Sequence, residues 1–342
     1  MSPQTHMRRE ILEIPQAVEA LLGTGADAIG KASAALRDKD PAFMISAARG
    51  SSDHAALYFK YVSELMTGIP VASVGPSIAS IYGRKLKLTE AACLAISQSG
   101  KSPDIVRIAK MAAAQGALSL ALTNNAESDL AQVSEHSLVL HAGVETSVAA
   151  TKTFVNSVVA AVWLLAEWQQ DTDLRKAIHA LPDALEQATK VDWGLLAQEL
   201  AGSHSLFCLG RGPALAISHE AALKFKETSQ LHAESYSSAE VLHGPVSIVD
   251  RGFSVLAFAA HDAAESSVVA VADALAAKGA RVFVTSDRAD AAQRLPVART
   301  GHPLTDPISI IVSFYAMVER VARARGMNPD APRHLRKVTE TI

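Results

Sequence analysis

Cysteine is nearly absent. The 342-residue chain has only Cys93 and Cys208, each inside an apolar run, Ala-Ala-Cys-Leu-Ala-Ile and Leu-Phe-Cys-Leu-Gly. The pair offers neither a disulfide framework nor metal-ligand spacing, and it reads as two small core residues in a reducing compartment. Charge of one sign is lacking too, since 32 basic and 35 acidic residues leave a net charge of -3. That excludes a global electrostatic case for nucleic acid or an anionic membrane as partner, so any bound anion must be held locally. No stretch approaches roughly 18 uninterrupted apolar residues, and no membrane span is expected. Behind the basic pair Arg8-Arg9 there is no apolar h-region, so no signal peptide is expected either. The expectation is a cytoplasmic protein.

What is present is a globular balance, 49% hydrophobic and 20% charged, in a length that suits two domains with a core each. Residues 8–38 predict helix, with Ile11, Ile14, Val18, Leu21 and Leu22 at helical spacing. An alternation of short apolar runs and helical stretches follows. Phe43–Ala48 leads through Arg49-Gly50-Ser51-Ser52 into a helix ending at Gly68. Ala92–Ser97 leads through Gln98-Ser99-Gly100-Lys101-Ser102 into a helix ending at Gly116, and a long helix is expected near 147–168. Units of this kind imply an α/β fold with parallel sheets covered on both faces.

The polar stretch 169–194 reads as a helical linker, after which the pattern restarts with Ser205–Leu209, Gly210-Arg211-Gly212 and a helix through Ile217–Leu231. The expected divisions are an N-terminal helix over 1–30, α/β domains over 31–170 and 196–326, a linker over 171–195 and an extended tail over 327–342. Both halves place an Arg-Gly pair between strand and helix, a hint of internal duplication.

Several residues carry chemistry. In Ser97-Gln98-Ser99-Gly100-Lys101-Ser102 a buried strand meets a helix start marked by Ser102 at the N-cap, Pro103 and Asp104. Amides and hydroxyls there can bind an anion, or they can be ordinary capping. Ser51-Ser52 and Thr123-Asn124-Asn125 end neighbouring strands similarly. On the next domain's helix Glu220, Lys224 and Glu227 share one face at i, i+4 and i+7. They form either a solvated ion-paired face or a carboxylate held for proton transfer. His243, before Gly244-Pro245, offers an imidazole on a turn. Lys337 in the basic run Arg333–Lys337 reads by itself as a solvated charge.

Taken together, the stretches Ser97–Gly100, Ala142–Lys152, Leu209–Gly212, Glu220–Glu227, His232–Glu234, Glu240–Pro245 and Pro332–Val338 resemble the sugar-isomerase (SIS) family. The likeness is to the isomerase half of glucosamine-6-phosphate synthase, over nearly all of residues 8–342. It implies two tandem SIS domains, each a flavodoxin- or Rossmann-like three-layer parallel sheet flanked by helices, with an extended C-terminal tail. It further implies that Ser97, Gln98, Ser99 and Ser102 cradle a sugar phosphate, with Ser51 and Ser52 beside them. Val148, Ala150, Lys224 and Arg336 would contact substrate. Glu227 would move the proton between C1 and C2, His243 would open the ring from a neighbouring subunit, and Lys337 would approach C2. The ligand implied is a phosphorylated amino sugar or ketohexose phosphate, bound by a homodimer with shared active sites and without metal or cofactor.

Ala150 stands where the family pattern has a serine, and Arg336 where it has a small residue. The sequence contains no amidotransferase domain and no cysteine before Cys93. The activity expected is therefore deamination of D-glucosamine 6-phosphate to fructose 6-phosphate and ammonia. A fructosamine-6-phosphate deglycase or other SIS isomerase, and a non-catalytic sugar-phosphate sensor, are the rival expectations.

Overall fold

The computed structural model describes residues 4–337. Residues 1–3 of the expected N-terminal helix and 338–342 of the expected tail, Val338 included, lie outside the described residues. The chain divides into two compact units: the first holds Gln16–Glu145 and Lys152–His179, the second residues 4–15, Thr146–Thr151 and Ala180–Lys337.

In the first unit, strands β1 (Phe43–Ala47), β2 (Val71–Ser73), β3 (Ala91–Ile96), β4 (Leu118–Thr123) and β5 (His136–Val139) form a parallel sheet of order β2-β1-β3-β4-β5. Strands β3 and β4 are buried at every residue, as a parallel sheet with both faces covered requires. The helix Lys152–Trp168 is buried almost all round and packs against the helices Ala26–Lys39 and Ser51–Thr67. Its Asn156 side chain donates to the Ala17 and Leu140 carbonyls, both at 2.8 Å.

The single helix expected over 8–38 is three: His6–Leu12, Ile14–Thr24 and Ala26–Lys39. Pro15 forces a fresh start, because it has no N–H to donate to a preceding turn. At Gly25 the chain passes close to its neighbours, and a Cβ there would lie 3.3 Å from the Trp163 ring.

In the second unit β6 (Ser205–Gly210), β7 (His232–Ser237), β8 (Ser254–Ala257), β9 (Arg281–Val284) and β10 (Gln293–Arg294) form a parallel sheet of order β10-β9-β8-β6-β7. Read from the β7 edge, this is the first sheet's order repeated strand for strand. The Arg-Gly pairs sit at matching places in that repeat: Gly50 has φ 54°, ψ -132° and Gly212 has φ 58°, ψ -139°. Such a backbone is readily adopted only by glycine, so the sequence echo is an echo of topology. The helix Asp306–Ala324 packs on Leu181–Lys190, Gly194–Ala201 and Pro213–Ser229, and Ser313 Oγ donates to the Ala188 carbonyl at 3.0 Å. Among the described residues no helix is long and apolar enough to cross a membrane.

Candidate functional site

The serine loop belongs to the first unit and is fixed by the end of β4. The Asn124 amide donates to the Gln98 carbonyl at 3.0 Å, as does Thr123 Oγ1 at 3.3 Å. Gly100 has φ 64°, and a Cβ there would fall 2.1 Å from Ser128 Oγ, so no other residue fits. The Gly100 amide donates to Ser97 Oγ at 3.2 Å and the Lys101 amide to Ser99 Oγ at 3.3 Å. Ser97 Oγ and Ser102 Oγ are 3.5 Å apart. Ser102 is the N-cap of helix Pro103–Ala114, yet its hydroxyl makes no capping bond to that helix. Ser97 is buried, while Gln98, Ser99, Ser102, Ser51 and Ser52 are half-buried. Such a loop concentrates hydroxyls and a helix N-terminus at the carboxyl end of a central strand, the place where parallel sheets bind anions.

A buried carboxylate lies under that helix start. Asp104 is fully buried, and Arg49 at the end of β1 donates its Nε–H to it at 2.5 Å. The Ile105 amide donates to its other oxygen at 2.9 Å.

The second unit holds the remaining chemistry. On helix Pro213–Ser229, Glu220 and Lys224 are both 0% exposed, which removes the solvated-face reading of that stripe. Lys224 Nζ lies 3.4 Å from Glu220 and also donates to Glu227, whose side chain keeps 19% of its surface accessible. Tyr315, buried on helix Asp306–Ala324, donates its hydroxyl to Glu220 at 3.1 Å. Burial works to lower the Lys224 pKa, but the two carboxylates outweigh it and the net shift is upward. Lys224 is thus a permanent cation at neutral pH, and it fixes the position of the Glu227 carboxylate.

Lys337 is half-buried rather than solvated: its ammonium donates to the Ser147 carbonyl at 2.6 Å. The segment holding Ser147 is itself pinned, because the Thr146 and Ser147 amides donate to the buried Glu10 carboxylate. Asp330 accepts from the His6 and Met7 amides, both at 2.8 Å, at the start of helix His6–Leu12. This strap is why the helix expected from 147 begins at Lys152. In the first unit, Glu145 caps that helix by accepting from the Thr153 hydroxyl at 2.6 Å and its amide at 3.2 Å. Val148 and Ala150 are half-buried on the strap, and Arg336 is exposed. His243 ends a 3-10 turn, Glu240–His243, and is exposed.

Sequence reasoning passed over Tyr315, Glu10 and Ser147. A lone phenol within the apolar run of helix Asp306–Ala324 is the one signal that pointed to a buried polar partner. Among the described residues no group of three or more His, Cys, Asp or Glu side chains is placed to hold a metal ion.

Comparison with known proteins gives a consistent picture. The SIS domain family matches residues 35–167 and 199–321. A curated relative from Sulfolobus acidocaldarius, glutamine–fructose-6-phosphate aminotransferase (isomerizing), is 30% identical over 345 residues, covering 97% of this chain and 56% of its own length. The chain therefore spans little more than half of that relative. A crystal structure from Silicibacter pomeroyi DSS-3, provisionally assigned as a phosphosugar isomerase, is 57% identical with a TM-score of 0.93, covering 96% of this chain and 100% of that one. The C-terminal domain of glucosamine-fructose-6-phosphate aminotransferase from Francisella tularensis is 25% identical with a TM-score of 0.83, covering 97% of this chain and 99% of that one.

Proposed function

Because this chain belongs to the SIS domain family, we propose that it is a sugar-phosphate enzyme of aldose–ketose type, and that its reaction is deamination of D-glucosamine 6-phosphate. The products are D-fructose 6-phosphate and ammonia. Supporting the substrate class are the names of its relatives, a glutamine–fructose-6-phosphate aminotransferase (isomerizing) and a provisional phosphosugar isomerase. The serine loop holds the phosphate, with Ser97, Gln98, Ser99 and Ser102 as ligands and Ser51 and Ser52 beside them. Val148, Ala150 and Arg336 line the substrate, whereas Lys224, expected there from the sequence, has no accessible surface and acts through Glu227.

The steps follow from the groups. His243 takes the anomeric hydroxyl proton and returns one to the ring oxygen, which opens the sugar. Glu227 removes the proton from C2, giving an enolamine, and delivers a proton to C1, giving a ketimine at C2. Water adds to C2 and ammonia leaves; alternatively the Lys337 amine displaces ammonia and water then releases the ketose.

One observation carries this reading: Glu227 keeps a fifth of its surface accessible while a buried ammonium holds it still. A base that serves two adjacent carbons needs both properties. His243 lies on a segment where Leu242 and Ile248 are 50% and 56% exposed. That exposure supports a homodimer in which a second copy covers the segment.

The test is a substrate panel with ammonia and ketose phosphate as readouts. Equimolar ammonia and fructose 6-phosphate from D-glucosamine 6-phosphate are expected. Turnover of fructosamine 6-phosphates of amino acids alone would move the assignment to a deglycase. Binding of sugar phosphates with no turnover would make the protein a sensor.

A further inference from the structure

We propose that Arg49 is a direct ligand of the substrate's phosphate, aimed by the buried Asp104 carboxylate; this rests on the reading of the serine loop as the anion cradle. Sheet register places Arg49 beside Ser97. In the sheet Ala47 of β1 pairs with Ala95 of β3, so two residues further on Arg49 and Ser97 leave the sheet at the same level. The side chain then turns toward helix Pro103–Ala114, where its Nε–H meets Asp104. A guanidinium is a planar fork with donors on more than one edge. Asp104 takes the Nε edge, while the outer nitrogens make no hydrogen bond among the described residues, and 48% of the side chain remains exposed. The cation is held at its inner edge and open at its outer one.

Charge gives the second reason. A fully buried carboxylate at the start of the helix opposes any anion brought to the loop, and the hydroxyls of Ser97, Ser99 and Ser102 are neutral. With Arg49 in place the pair is neutral and presents N–H donors outward, a bidentate geometry that fits a phosphate. Arg211 occupies the corresponding place in the second unit, after β6 and before Gly212, yet makes no ion pair among the described residues. The duplicated Arg-Gly turn does not by itself explain the tether. The second unit's corresponding helix start also carries a buried acid, Glu265, but Arg288 and Ser286 engage it rather than Arg211.

Inorganic phosphate is the probe, titrated calorimetrically into the wild type and into Arg49→Gln, Arg49→Lys and Ser99→Ala. Loss of a charge-assisted bidentate contact is expected to weaken phosphate by about 10-fold or more in Arg49→Gln. Arg49→Lys is expected to recover only part of that, because an ammonium lacks the second edge. Arg49→Gln removes a cation from beside the buried Asp104 carboxylate, so the double variant Arg49→Gln/Asp104→Asn, which removes both charges, is measured alongside it. Weak phosphate binding by the folded double variant supports the proposal. Wild-type affinity in either Arg49→Gln protein, with Ser99→Ala weakened, overturns it and leaves the cradle standing. Wild-type affinity in Ser99→Ala as well removes the cradle with it.

Discussion

The ammonium of Lys337 donates to the carbonyl of Ser147 at 2.6 Å, joining residues 190 positions apart. The tail lysine rests on the strap that Glu10 and Asp330 hold in place. To reach a sugar carbon as an amine it must leave this acceptor and lose a proton. Lys337→Met is therefore expected to slow turnover while leaving phosphate affinity unchanged. Its cost in stability should be about 1 kcal/mol, one hydrogen bond's worth, read by urea denaturation.

Lys224 is the structural centre of the second unit's charged cluster. Replacing it by methionine strands Glu220 in the core, and a loss of about 3–5 kcal/mol is expected. Glu220→Gln in the same chain should recover most of it, since no uncompensated charge is then buried. The pH sign follows from the upward shift of Lys224 above its ordinary 10.5. Its contribution is fully present below that value and is lost only as pH rises through the folded one. Wild-type melting temperature should therefore show no loss attributable to Lys224 between pH 6 and 9.

Gly100 permits the serine loop. Alanine there must adopt φ 64° and place a Cβ 2.1 Å from Ser128 Oγ. The strain is of order 1–3 kcal/mol before the clash is counted. Gly100→Ala should lower the melting temperature and weaken inorganic phosphate together; a loss of stability with phosphate affinity intact would separate the loop from the anion.

Both thiols are buried. Burial pushes Cys93 up to about 12, and it raises Cys208 as well. Native protein at pH 8 should thus react with no equivalents of an aromatic disulfide reagent, and denatured protein with two, matching the two cysteines of the chain.

Much of the fold could be read from the chain because parallel strands are apolar throughout and their turns carry glycine. The runs ending at Ala48 and Ser97 became β1 and β3 for that reason. Strand β7 escaped because its residues, His-Ala-Glu-Ser-Tyr-Ser, lie at a sheet edge and are mostly half-buried, so no apolar run marks it. The breaks at Glu13 and Gly25 escaped because the apolar period continues through them.

For the site, local sequence identified the serine loop, since capping and turn chemistry are short-range. It could not decide whether Glu220 and Lys224 face water, because a surface ion pair has the same spacing. Helix Asp306–Ala324 decides it, by placing Tyr315 on Glu220. The perch of Lys337 on Ser147 is wholly tertiary, and no local pattern encodes it.

In the proposed reaction Glu227 is the group that moves the proton between two carbons. Ammonia release from D-glucosamine 6-phosphate by wild type and by Glu227→Gln, compared at matched circular dichroism spectra, tests this most directly. Loss of a positioned acid–base is expected to slow the reaction roughly 10²–10⁴-fold with phosphate affinity retained. Equal rates in the two proteins would contradict it.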